Sequence, residues 1–251
     1  MQDRKTTFTA RSVLASALLG MDPPELPVSQ LIRLTGLFGI GENAARVALS
    51  RMVAAGEATT DGTGSYRLAG HLVRRQARQS ASRSGSTGPF TGQWWLAVVT
   101  TTGSTPDVRA ARRRALTYAR LGELREAVWL RPDNLAVTLP DDQDGDVELM
   151  TAQPRRPDQL ASRLWDLPAW AARADALRQD LDALRPDVPE ALGPGFELSA
   201  AVLRHLQADP LLPIELLPRD WPGGRLRATY DSWDAQYRTT LREWSRDVPA
   251  G

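Results

Sequence analysis

Residues 39–68 place a helical stretch directly before a hairpin, and few small folds accommodate that order. In the helical half, Ala45, Ala48, Leu49, Met52 and Val53 recur at three- and four-residue steps and form one apolar stripe. Asn43, Arg46, Val47 and Ser50 fall on the opposite side, with Arg51 beside them. Gly56 stands where the helix must stop, in a left-handed conformation that glycine adopts cheaply. Two short segments, 57–60 and 65–68, flank Asp61-Gly62-Thr63-Gly64, whose residues accept the positive φ angles of a tight hairpin. Two further helices precede this stretch: one over residues 9–20, capped by Thr9, and one over 30–38, capped by Ser29. The proline-rich residues 22–27 separate them. The expected unit is a winged helix-turn-helix.

A helix that reads the major groove needs long donors or amides on its outward face. Arginine pairs with guanine and asparagine with adenine, each through two hydrogen bonds. Asn43, Arg46, Ser50 and Arg51 are therefore the candidate base and phosphate contacts, with Arg67 and the wing glycines Gly62 and Gly64 near the backbone. Arginine on a solvated face is common, so the hairpin and the preceding helices carry the DNA reading further than this helix alone. Charge distribution agrees. Residues 1–92 hold eleven Lys+Arg against six Asp+Glu, and the rest of the chain holds twenty against twenty-four.

With 251 residues, 42% hydrophobic and 24% charged, the chain has the composition of two or three folded domains. It has no cysteine, which excludes disulfides and thiolate chemistry. No apolar run is long enough to span a bilayer, and Arg11 interrupts the only stretch resembling a leader. The expected location is the cytoplasm, with no membrane partner.

Residues 70–82 read as a basic helix, either a solvated linker or a contact with DNA phosphates, and Arg83-Ser84-Gly85-Ser86-Thr87-Gly88 as a flexible linker. The expected division is 1–83 for DNA binding, 84–92 as linker, 93–165 as a central domain and 166–251 as a helical C-terminal domain. In the central part, strands are expected over 93–100, 126–130, 135–139 and 147–152. Helices are expected over 107–121 and 157–165, an order that suggests a split βαβ sandwich. The aspartate-rich loop at 140–146 lacks the spacing of a calcium loop and reads as a solvated turn. Helices over 169–184, 195–208 and 226–246 follow. Trp165, Trp170, Trp221, Trp233 and Trp244 are expected as core or subunit-contact anchors. The proline-rich break at 209–224 is expected to pack against the last helix.

Three stretches together resemble the PaaX-like family, the repressors of phenylacetic acid degradation. They are Gly39-Ile40 with Ala44 through Val53; Gly92-Gln93-Trp94-Trp95-Leu96 with Arg112-Arg113-Arg114 and Val128-Trp129-Leu130-Arg131-Pro132; and Leu216-Leu217-Pro218-Arg219-Asp220-Trp221-Pro222-Gly223 with Leu226, Tyr230 and Trp233. The resemblance implies an α+β protein with an N-terminal winged helix, a central ferredoxin-like domain similar to the Cas2 fold, and a helical C-terminal domain. It also implies a homodimeric repressor that binds a double-stranded operator and is released by an effector, phenylacetyl-coenzyme A in the name-giving members. Phe90-Thr91 stand where the family commonly shows Trp-Asp, so the effector expected here is another aromatic acyl-CoA or a related acid. Arg109, Arg112, Arg113 and Arg120 are the candidate cations for its phosphates, with Trp129 and Trp221 as aromatic contacts.

The resemblance implies no enzyme activity, cofactor or metal. The rival is a Cas2-like metal-dependent nuclease, which needs a carboxylate at the end of its first strand. That strand ends Val98-Val99-Thr100-Thr101-Thr102. His71 and His205 have no Ser, Asp or Cys in register for nucleophilic catalysis. A second rival is an RNA-binding or scaffold protein.

Overall fold

The computed structural model of the chain describes residues 8–21, 23–139 and 146–246. The protein is α+β with two antiparallel sheets. It divides into two compact units: residues 1–84, 176–207 and 225–251 form the first, and residues 85–175 and 208–224 the second. The aspartate-rich turn expected at 140–146 lies, except for Asp146, outside the described residues.

The first unit begins with α1 (Ala10–Leu19), whose N-cap Thr9 accepts a hydrogen bond from the Ser12 amide, as its sequence requires. Then come β1 (Glu25–Pro27), α2 (Val28–Gly36), α3 (Glu42–Ala54), β2 (Ala58–Thr60) and β3 (Ser65–Leu68). The strands pair antiparallel in the order β1-β3-β2. Two expectations are corrected. Ser29 does not cap α2: Pro27 holds the N-cap position, and the Val28 amide donates to the Gly64 carbonyl at 2.7 Å, tying the helix start to the hairpin. Residues 25–27 are also more than a helix break, since they add a third strand to the hairpin.

The second half of this unit is helical. After α4 (His71–Ser84) the chain returns as α8 (Leu192–Gln207) and α9 (Gly223–Arg246), labels that count α5 (Pro106–Tyr118), α6 (Pro157–Leu164) and α7 (Leu167–Ala183) in between. The solvated-linker reading of α4 does not hold. Leu72 and Ser82 are buried, and α4 packs on α8 and α1. Arg83 is no flexible-linker residue either. It donates to Asp231 and Asp234 at 2.6 Å each and lies over the Tyr230 ring. Arg33 sits 3.9 Å above the Trp244 ring, where the ring face stabilises a partly desolvated cation.

The second unit is built on a four-stranded antiparallel sheet in the order β5-β6-β4-β7, with β4 (Trp94–Val99), β5 (Gly122–Arg125), β6 (Val128–Pro132) and β7 (Val147–Ala152). One face carries Trp94, Leu130 and Ala161 with Leu212 and Leu216 of the proline-rich segment. That segment packs on the sheet, where the sequence suggested packing on the last helix. Trp170 stacks on Trp221 with ring centroids 4.5 Å apart. The other face packs Ala97 and Trp129 on Leu116 of α5.

Residues 135–139 form no strand. Val137 and Leu139 still pack on the sheet, but the chain is held by Asn134, whose buried amide donates to the Leu211 carbonyl at 2.8 Å. Beside it Arg131 is fully enclosed. Its guanidinium donates to the Pro132 and Ala119 carbonyls and to Asn134 Oδ1 at 3.1–3.3 Å. Burial, and then the neighbouring Arg120, push its pKa down to about 9.

Candidate nucleic-acid interface

The α3 helix divides cleanly. Ala45, Leu49 and Met52 are buried in the core with Leu14 and Leu18 of α1 and with Leu31 and Leu34 of α2. Truncating a fully buried leucine such as Leu49 to alanine costs about 2–5 kcal/mol, so this face has no freedom to turn outward. Asn43, Arg46, Val47, Ser50 and Arg51 are all exposed. The helix ends in a two-bond closure around Gly56 (φ 67°): the Gly56 amide donates to Val53 O at 3.0 Å, and the Glu57 amide to Met52 O at 2.9 Å. The end of the helix is thereby fixed, and the chain is delivered into β2.

Arg46 is paired with Glu42 one turn earlier at 2.8 Å, both side chains more than half exposed. Such a surface pair is worth well under about 1 kcal/mol, so Arg46 can leave it for a stronger acceptor. Among the described residues Arg51 makes no ion pair. Val47 is 50% exposed, an apolar side chain on an otherwise polar face.

The hairpin tip is built differently from the simple glycine turn the sequence suggests. Asp61 accepts hydrogen bonds from the Thr63 amide at 2.9 Å, the Thr63 hydroxyl at 2.5 Å and the Ser65 amide at 3.0 Å. These bonds, the Thr63 hydroxyl first, lower its pKa to about 2 and keep the tip anionic. Gly62 and Gly64 take φ of 76° and 107°. Arg67 lies on the central strand β3 and pairs with Glu25 of β1 at 2.5 Å. It braces the sheet beside the tip.

At the base of the hairpin, buried Glu57 accepts from Arg11 Nε at 2.8 Å and stands 3.8 Å from His71 Nε2. The Arg11 hydrogen bond, with its charge, holds the Glu57 carboxyl below the ordinary carboxylate range. His71 thus has an acidic neighbour that helical register alone does not reveal.

Of the six candidate effector contacts, Arg109, Arg112, Arg113 and Trp129 line a single cavity of about 820 Å³ in the second unit. Its arginines are largely answered from within. Arg112 pairs with Asp146 at 2.5 Å, Arg113 with Glu123, and Arg109 donates to the Ser104 carbonyl. Arg120 and Trp221 lie elsewhere: Arg120 donates to the Asp209 carbonyl, and Trp221 stacks on Trp170. A second cavity, of about 390 Å³, lies within the first unit and is lined by α1, α2, α4, α8 and α9. Sequence reasoning missed it. Among the described residues no group of three or more His, Asp or Glu side chains is arranged to hold a metal ion. No helix there is long and apolar enough to cross a membrane.

Comparison with known proteins bears on both ends of the chain. The PaaX-like protein family model matches residues 9–72, and the PaaX-like protein C-terminal domain model matches residues 165–246. Among solved structures, an uncharacterized protein, Rv0674, from Mycobacterium tuberculosis is 42% identical, with a TM-score of 0.75 over 95% of this chain and 99% of that one. No curated protein matches the chain. The two family matches together span more than half of the sequence, and the chain belongs to the PaaX-like protein family.

Proposed function

We propose that the protein is a sequence-specific, double-stranded-DNA-binding transcriptional regulator, acting as a repressor that a small-molecule effector releases. The observation that carries this reading is the two-sided α3 helix. Its inner face is locked into the core, while Asn43, Arg46, Val47, Ser50 and Arg51 are exposed on one outward surface beside a hairpin. In this reading α1–α3 with β1–β3 are a winged helix-turn-helix, and α3 enters the major groove. Arg46 and Asn43 read base edges, Val47 meets a thymine methyl, and Ser50 and Arg51 lie near phosphates. Gly62 and Gly64 let the wing approach the backbone. Arg67, exposed on β3, lies near the DNA backbone, because its surface pair with Glu25 is weak enough to open.

The all-antiparallel order β5-β6-β4-β7, with α5 between β4 and β5, supports a ferredoxin-like, Cas2-like reading of the central domain. The proposed division is 1–83 for DNA binding, 84–92 as linker, 93–165 as the central domain and 166–251 as the helical C-terminal domain, and the proposed assembly is a cytoplasmic homodimer. In that dimer two recognition helices reach successive major grooves about 34 Å apart. Family membership supports a regulator over an enzyme, and the protein is read as having no catalytic activity of its own.

The test begins by retrieving bound fragments from the organism's own genome and titrating one of them by gel shift. Arg46→Ala should weaken operator binding by about 1–3 kcal/mol and relax preference at one base position. Wild-type affinity in both Arg46→Ala and Asn43→Ala would remove α3 as the reading element. Preference for RNA over duplex DNA, or cleavage of nucleic acid with magnesium or manganese, would overturn the proposal.

A further inference from the structure

The cavity of about 390 Å³ in the first unit has an apolar floor and a cationic rim. Leu19, Leu26, Leu34, Phe196, Leu203 and Leu241 supply the floor. Arg75 of α4, Arg204 of α8, and Arg238 and Arg242 of α9 also line it, against one carboxylate among the described residues, Asp234. That carboxylate is already committed, since Asp234 is buried and accepts from Arg83 at 2.6 Å and from Arg238 at 2.8 Å. Arg75 and Arg204 are exposed and make no ion pair among the described residues. A polar handle is present as well, because the Ser199 and Tyr230 hydroxyls share a hydrogen bond of 2.8 Å and both line the cavity.

An apolar pocket with a few convergent polar groups is the ordinary form of a small-molecule site, and this volume lies at the small end of that range. The excess of arginine selects for anions, and paired guanidinium donors suit a carboxylate. We infer that this cavity binds a small organic carboxylate with an apolar aromatic or aliphatic body, and that its occupancy regulates DNA binding. The second half of that inference rests on the function proposed above. The larger cavity of the second unit is less suited to such a ligand, because its arginines already face Glu123 and Asp146.

The route to DNA is short. Ala17, Leu19, Leu26 and Leu34 line the cavity and also belong to the core that holds Leu49 and Met52 of α3. A ligand that shifts this floor shifts the seat of the outward helix.

The full-length protein is titrated by isothermal calorimetry with 4-phenylbutyrate and decanoate, and with the neutral 4-phenylbutyramide as control. Two variants accompany it. Arg75→Glu/Arg204→Glu reverses two exposed rim charges, and Ala200→Phe fills the cavity from α8; thermal melts establish that each is folded. The expected result is binding of at least one carboxylate, tenfold or more weaker for the amide, and tenfold or more weaker for the charge-reversed protein. Ala200→Phe should bind neither acid. Where Ala200→Phe is unfolded, Ser199→Leu takes its place. No binding of either acid, or equal binding by wild-type and cavity-filled protein, overturns the site.

Gel shifts with and without the bound acid separate the two claims. Operator binding by the protein with no cavity-dependent acid binding refutes the inference and leaves the proposed function standing. Cavity-dependent acid binding by a protein that binds no duplex DNA upholds the site and refutes the proposed function. Binding of both, with operator affinity unchanged by the acid, refutes the regulatory half.

Discussion

Gly195 of α8 is the point where substitution by one methyl group tests the packing of the first unit most sharply. A Cβ there would lie 2.6 Å from Tyr237 Cε2, 2.9 Å from Tyr237 Cδ2 and 3.2 Å from the Trp233 ring. Carbon pairs pack at about 3.5–4.0 Å, so the Tyr237 ring would have to retreat by about 1 Å. It is poorly placed to do so. Its hydroxyl donates to the Leu192 carbonyl at 2.8 Å, it stacks on Trp233 at 5.0 Å, and the Trp233 indole donates to the Leu184 carbonyl at 2.9 Å. Overpacking of this kind costs about 1–3 kcal/mol, while replacing a helical glycine by alanine returns about 0.5–1 kcal/mol. Gly195→Ala should therefore lose roughly 0.5–2 kcal/mol, lowering Tm by about 1–8 °C at this chain length. Gly224→Ala is the control. Its Cβ would meet nothing within 4 Å, so the helix gain of about 0.4–1 kcal/mol should appear alone. Urea denaturation followed by circular dichroism measures both. If Gly195→Ala stabilises the protein as Gly224→Ala does, the close approach of α8 to α9 is wrong.

The remaining predictions concern charge at the hairpin. Asp61→Asn keeps the acceptor for the turn amides but removes the charge at the tip. If the wing approaches phosphates, the variant should bind duplex DNA more tightly in a gel shift at low salt, and the gain should shrink as salt is raised; unchanged affinity would place the wing away from the duplex. Glu57 titrates below the ordinary carboxylate range when folded because Arg11 binds its charged form, so this contribution is present above the unfolded pKa, about 4.3, and is lost as pH falls through the folded value. Arg11→Ala should lower stability at pH 6 by more than at pH 3, read from urea midpoints, and an equal loss at both would show that the pair contributes nothing through ionisation.

Helix α3 was legible because its determinants are local. A 3.6-residue apolar stripe and a terminating glycine specify α3 without knowledge of anything distant. The misreadings share the opposite property. Glu25-Leu26-Pro27 becomes a strand only because β3 lies beside it. Gly122-Glu123-Leu124-Arg125 carries no strong strand signal, and its glycine answers to Leu164 Cβ, 2.7 Å from where a Cβ would stand. Residues 135–139 alternate as a strand should, yet the buried amide of Asn134 directs the chain off the ladder. The sequence also brings Arg109, Arg112 and Arg113 together correctly, since one helix carries all three. Only the structure reveals that carboxylates from β5 and from the residue just before β7 already face two of them.

The first-unit cavity lies furthest from what a sequence can show, because the arginines that line it come from three helices, the first of them more than a hundred residues before the other two. A trace of it is nonetheless present. Asp234, Arg238 and Arg242 follow one another at four-residue steps, a ladder that marks one face of α9 as charged. That face would ordinarily meet solvent. It instead borders apolar residues of α1 and α2 that also support α3, and under the proposed function this shared wall would let a modest ligand act on DNA binding. A tenfold loss of operator affinity requires only about 1.4 kcal/mol of differential binding between the DNA-competent arrangement and another. Redistributing one or two leucine contacts of the shared wall, at about 1.5–3 kcal/mol for each fully buried side chain, supplies that amount. A carboxylate that binds without disturbing Leu26 or Leu34 has no such difference to exploit and would leave the operator occupied.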